Sequence, residues 1–150
     1  MSIKDKFTEE EWEIIEDAPF AIGLGMSDVE KSNPNAEIKE FDSLVSYLSK
    51  SRNRFESNEL IDTVLKSFQF VSQSDGKGRN ADQVAKYAED VNKILKEKHP
   101  GEETQQYKEF LVEIAKKVAK AHGEEMLGLK RISKKEGALL EKLRKALEVE

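Results

Sequence analysis

Residues 80–101, NADQVAKYAEDVNKILKEKHPG, decide how the whole chain reads. Asn80 and Gln83 stand at capping-box spacing, where the first side chain accepts from a backbone N–H of the opening turn and the second reaches back. Val84, Ala88, Val91 and Leu95 then recur three and four residues apart, which puts them on one face of an α-helix. His99-Pro100-Gly101 ends that helix, because a residue before proline avoids the helical region and proline has no N–H to donate.

The same grammar repeats on both sides of this segment. Toward the start, Thr8 and Glu11 form a second capping box, with Phe7 and Trp12 at the positions of a hydrophobic staple. Pro19 suits the first turn of a further helix, where its missing N–H has no intrahelical partner, and Gly23 and Gly25 predict that this element is short, buried and over by about Ser27. Asn33 before Pro34 reads as an N-cap, followed by Ile38, Phe41, Leu44, Val45 and Leu48 at helical spacing. Leu60, Ile61, Val64, Leu65, Phe68 and Val71 make the next stripe, which ends before the loop Ser74-Asp75-Gly76-Lys77-Gly78. Beyond His99, Tyr107, Phe110, Leu111, Ile114, Ala115, Val118 and Ala119 predict a helix ending near Gly123, since glycine readily closes helices. Ser133 and Glu136 repeat the capping box ahead of Leu139, Leu140, Leu143 and Leu147. No segment sustains a period of two between hairpin turns, so the expected class is all-α: one domain over residues 1–150, a compact bundle of about seven helices.

A chain of 150 residues is the usual size for a single core. Although 37% of residues are charged, the 37% that are hydrophobic fall at regular spacing, which argues for a folded chain. With no cysteine, disulfides, thiolate metal sites and nucleophilic thiols are excluded. The opening MSIKDKFTEEEW has no apolar stretch after its lysines, and the longest apolar run, Ala18 to Met26, is far shorter than the roughly 20 residues that span a bilayer. Neither export nor membrane insertion is signalled, and a cytoplasmic location is the expectation.

A net charge of -5 argues against nucleic-acid binding, which needs clustered cations to displace counterions. The charge is uneven: residues 1–60 carry 7 basic and 14 acidic side chains, residues 108–145 carry 11 and 6, so the two regions differ in sign. Antiparallel helices can lay such faces side by side as solvated surface, or the dipole can dock a protein partner or a second copy. Lys116, Lys117, Lys120, Lys130, Arg131, Lys134 and Lys135 are interspersed with glutamates, and no aromatic residue follows Phe110 to stack on bases.

Catalytic motifs are absent. Only His99 and His122 exist, neither at a zinc-ligand spacing, and both stand where a helix end favours a polar or cationic side chain. The glycines of the 74–78 loop lack the phosphate-loop spacing, and an EF-hand register would put Val71 and Gln73 at ligand positions. No histidine follows a glutamate by three, as a di-metal bundle needs, and no G-x-S-x-G elbow is present. No cofactor is expected.

Within the chain, aligning Glu37 with Glu136 superposes Phe41, Leu44 and Leu48 on Leu140, Leu143 and Leu147, as two cognate helix-loop-helix units would. Any two amphipathic helices also share this spacing. Ala121-His122-Gly123 and Arg131-Ile132-Ser133-Lys134-Lys135-Glu136, with Asp28 and Glu37 as the early pair, resemble the TerB-like helical proteins associated with tellurite resistance. In that family an Asp-Gly commonly precedes the Ile-Ser-x-x-Glu helix start, and the acidic residues are candidate metal or partner contacts; here His122 stands in the aspartate's place. The resemblance implies a candidate metal set of Asp28, Glu37 and His122. Two functional classes follow: a binding protein, acting as an interaction or stress-associated module or through its own oligomer, and a metal-dependent sensor or enzyme using that carboxylate and histidine set.

Overall fold

The computed structural model describes residues 3–29, 46–51, 54–55, 57–71, 81–127 and 134–149. After a 3-10 turn over Ile3–Lys6 come α1 (Glu9–Val29), α2 (46–51), α3 (Glu59–Val71), α4 (Ala81–Lys98), α5 (Glu102–Leu127) and α6 (Lys134–Leu147). All regular structure among the described residues is helical, and the all-α class holds.

The opening of α1 follows the local signals. Thr8 Oγ1 accepts from the Glu11 N–H at 3.1 Å, Glu11 Oε1 accepts from the Thr8 N–H at 2.9 Å, and the Phe7 and Trp12 rings lie 5.6 Å apart. What happens at Pro19 differs from the expectation. No second helix starts there, because α1 runs unbroken through it to Val29. A proline inside a helix leaves the carbonyl four residues earlier without its N–H donor, here that of Ile15. The Tyr107 hydroxyl of α5 fills the gap, donating to Ile15 O at 2.5 Å, and the Tyr87 hydroxyl of α4 donates to the adjacent Ile14 O at 2.5 Å.

The same helix explains the Ala18–Met26 apolar run. Ile15, Ala18, Phe20, Ala21, Ile22 and Met26 are all buried, so α1 is enclosed on most sides, packed against α3, α4 and α5. Gly25 permits its close approach to α4, since a Cβ there would overlap Val84 Cγ2. A single apolar cluster then joins α1 to Leu60 and Val64 of α3, Val91 and Leu95 of α4, Phe110 and Ile114 of α5, and Leu139 and Leu143 of α6.

Asn58 caps α3 and ties it to α5. Its Oδ1 accepts from the Ile61 N–H at 3.0 Å, while Nδ2 donates to Glu103 O at 3.1 Å and Gln106 Oε1 at 2.8 Å. The next helix, α4, stops at Lys98, where the His99-Pro100-Gly101 signal predicts; Gly101 takes φ +135°, open to glycine but not to most residues. By contrast α5 does not end near Gly123 but continues to Leu127. One interior glycine costs about 1 kcal/mol relative to alanine, too little to stop a helix whose earlier turns are well packed.

Four expectations fall wholly or partly on residues that the structure does not describe. The N-cap at Asn33 and the stripe from Ile38 to Val45 lie outside the described residues; the helical residues described in this part of the chain are 46–51, with Leu48 buried, and Arg54. Asn80 and Ser133 also lie outside them, immediately ahead of α4 and α6. Glu136 is fully buried in the first turn of α6, where the helix dipole favours a carboxylate.

Candidate functional site: a lysine-rimmed groove between α4 and α6

The α4 positions 85, 89, 92, 93, 96 and 97 share one face of that helix, and opposite them stand Lys142, Lys145 and Ala146 of α6 and Glu148 just beyond its end. The two alanines keep the space between the helices open, and the resulting groove has a volume of about 690 Å³. Its rim is charged. Lys93, Lys96, Lys142 and Lys145 line it together with Glu89, Glu97 and Glu148.

Two of these lysines are held. Lys142 Nζ lies 2.9 Å from Asp82 Oδ1, and Lys96 Nζ lies 2.9 and 3.2 Å from the two Glu148 oxygens. Lys93 and Lys145 form no ion pair among the described residues and point their charge at solvent and groove.

Beneath the rim lies Lys108 of α5, only 5% exposed. Its Nζ donates to Asn92 Oδ1 at 3.0 Å, and Asn92 is itself 7% exposed. Burial pulls the Lys108 pKa below that of an ordinary lysine; the Glu148 charge works the other way and the Lys96 charge adds to the lowering. Among the described residues no carboxylate forms an ion pair with this ammonium. The Asn92 side-chain oxygen is therefore what holds the ammonium. Hydrogen bonds from Lys96 and then Asn92, with the Lys96 charge, hold the Glu148 carboxyl below the usual carboxylate range.

Glu148 reaches this position through an unusual backbone. Its φ is 57°, in the left-handed region, and it closes α6 with two bonds: its own N–H to Lys145 O at 3.3 Å and the Val149 N–H to Arg144 O at 2.9 Å. This is the Schellman arrangement, in which that residue is usually glycine.

Two other polar clusters lock the fold. Arg54 forks onto Glu113 with contacts of 3.0 and 3.3 Å, and the Tyr47 hydroxyl donates to Glu113 Oε2, clamping the 46–55 segment to α5. Burial first, then the bond to Glu113, pushes the Tyr47 phenol up to about 12. His99 bridges the start of the chain to α5: Lys6 Nζ lies 2.8 Å from its Nδ1 and Glu103 Oε1 lies 3.0 Å from its Nε2. Nδ1 must accept from the lysine, which leaves Nε2–H to donate to the carboxylate.

Of the three candidate metal ligands, Asp28 lies within α1 and His122 within α5, but their side chains, like the whole of Glu37, lie outside the described residues. His122 does not stand at a helix end, since α5 continues to Leu127. Among the described residues no group of three histidine, aspartate or glutamate side chains converges to hold a metal ion, and no helix is long and apolar enough to cross a membrane.

The sequence reading passed over Asn92, Lys108 and Glu148. Asn92 follows Ala88 by four and precedes Leu95 by three, inside an apolar stripe, and Lys108 stands between Thr104 and Leu111, which are also buried. A polar residue intruding on a buried face is the available signal. Compared with known proteins, the chain matches no protein-family model, no curated protein and no solved structure.

Proposed function

We propose that this protein acts by binding, and that the groove between α4 and α6 takes the anionic part of its ligand. The observation that carries this reading is the buried Lys108 ammonium, bonded to a neutral amide beneath a rim of four lysines. Desolvating a cation against an amide is unfavourable, and an anion in the groove would offset that cost while meeting Lys93 and Lys145 at the rim. Four lysines stand on the rim against three glutamates, and Lys108 beneath it adds a fifth cation, so the balance of the groove is positive. The chain's net charge of -5 does not oppose this, because the field in a cleft is set by the groups that line it. An interaction or stress-associated role in the cytoplasm, of the TerB-like kind, belongs to the same proposal and rests on the His122-Gly123 and Ile132-Ser133 motifs alone.

Thermal unfolding with added pyrophosphate, citrate or sulfate tests the reading. A ligand that binds only the folded state raises the midpoint by mass action, by about 2.7 kcal/mol at one hundred times its Kd. The rise should shrink in Lys108→Met when each protein is compared with its own ligand-free midpoint. An unchanged midpoint with all three anions at low ionic strength would overturn the reading.

A further inference from the structure

The carboxylate of Glu148 lines the groove among its lysines. Both of its oxygens lie on Lys96 Nζ, at 2.9 and 3.2 Å, and it lines the same groove as Asn92, the partner of Lys108. It is delivered there by a non-glycine residue at φ 57°, a conformation that ordinary side chains disfavour. A glycine would close α6 with the same two backbone bonds and without that cost. The carboxylate is what glycine lacks.

We propose that Glu148 is a built-in stand-in for the ligand, and that a small molecule carrying at least two negative charges displaces it from Lys96 on binding. This rests on the groove being an anion site. Displacement frees Lys96 to join Lys93 and Lys145, so that three ammonium groups face the ligand and one singly charged group does not satisfy them. A diphosphate or a di- or tricarboxylate has the right charge. Losing its anchor, Glu148 leaves the left-handed conformation, and the Val149 N–H to Arg144 O bond at the end of α6 opens. Ligand occupancy is thereby coupled to local fraying of α6.

Pyrophosphate is the probe, titrated calorimetrically into the wild-type protein, Glu148→Gly, Glu148→Gln and Glu97→Gln. The last removes a carboxylate from the same rim that forms no ion pair with Lys96, and so measures the general effect of deleting a negative charge. Both Glu148 variants should bind at least ~10-fold tighter than wild type, which is about 1.4 kcal/mol, and clearly tighter than Glu97→Gln. Amide exchange at Val149 should also accelerate when pyrophosphate is added to the wild-type protein. Should the wild type bind while the Glu148 variants bind no tighter than Glu97→Gln, or should Val149 become more protected, the stand-in is overturned and the groove remains an anion site. If none of the four proteins binds pyrophosphate, both proposals fall.

Discussion

The hydroxyl of Tyr107 donates at 2.5 Å to Ile15 O, the carbonyl that Pro19 leaves without a helical donor. Burial pushes the Tyr107 phenol well above its ordinary pKa, so it remains a donor throughout the physiological range. Tyr107→Phe should strand a buried carbonyl and cost about 1–3 kcal/mol. Pro19→Ala supplies the missing backbone N–H, so in that background the same Tyr107→Phe change should cost much less. A double-mutant cycle in urea measures the coupling. Equal losses in the two backgrounds would mean that the tyrosine does not stand in for the amide.

This pair also shows where the sequence stops being legible. Thr8 and Glu11 could be read as a cap because both bonds close within one turn. Pro19 was legible as a residue that lacks an N–H but not as an interior one, because its compensation comes from a residue 92 positions beyond the carbonyl it serves. Gly123 reads as a stop although one glycine is a small local cost that a long helix absorbs. The groove was hidden for a similar reason. Lys108 and Asn92 are each visible as polar intrusions on apolar faces, but that they meet depends on how α4 and α5 pack. The left-handed Glu148 was the least legible of all, since no local signal asks a glutamate to take a glycine's conformation.

Gly25 is required by the approach of α1 to α4. In Gly25→Ala the new methyl would overlap the Val84 side chain, and its gain in helix propensity, about 1 kcal/mol, is outweighed by overpacking of about 1–3 kcal/mol. The variant should therefore unfold at lower urea concentration than wild type. Adding Val84→Ala removes the obstructing methyls, and the double variant should be more stable than the sum of the two single changes implies.

The Arg54–Glu113–Tyr47 clamp should give the protein an acid-sensitive and a base-sensitive element. Burial raises the Glu113 carboxyl, but the hydrogen bonds from Arg54 and Tyr47 outweigh it and the net pKa is lowered. A carboxyl held lower in the folded state stabilises fully above its unfolded pKa, about 4.3, and loses that contribution as pH falls through the folded value. Glu113→Gln should cost about 0.5–1 kcal/mol at pH 7, a modest figure because the side chain is 40% exposed, and the difference from wild type should vanish at lower pH. Tyr47, raised to about 12, behaves in the opposite sense. Its contribution is present below pH 10 and lost as pH rises through 12. Denaturant midpoints of the two proteins measured from pH 2 to pH 7 check the acid limb, and Tyr47→Phe checks the basic one. Parallel curves for wild type and Glu113→Gln across the acid range would remove Glu113 as the source.

Asn92 and Lys108 together make the sharpest energetic prediction. In Asn92→Leu the Lys108 ammonium loses the oxygen it donates to, and the replacement side chain offers nothing in return. A buried charge left without a partner should cost roughly 3 kcal/mol at pH 7. Replacing both groups, as in Asn92→Leu with Lys108→Met, removes the charge together with its partner, and the double variant should return to wild-type stability or exceed it. The pH dependence separates this account from simple mispacking. Burial already lowers the Lys108 pKa in the wild type, and loss of Asn92 should lower it further in the variant. A lysine with a depressed folded pKa destabilises while it must be charged, and that penalty fades as pH rises from the folded value toward the unfolded one, about 10.4. The deficit of Asn92→Leu relative to wild type should therefore narrow between pH 7 and pH 10, while the double variant shows no such trend. A deficit that stays constant over that range would mean that the cost comes from the shape of leucine and not from the stranded ammonium.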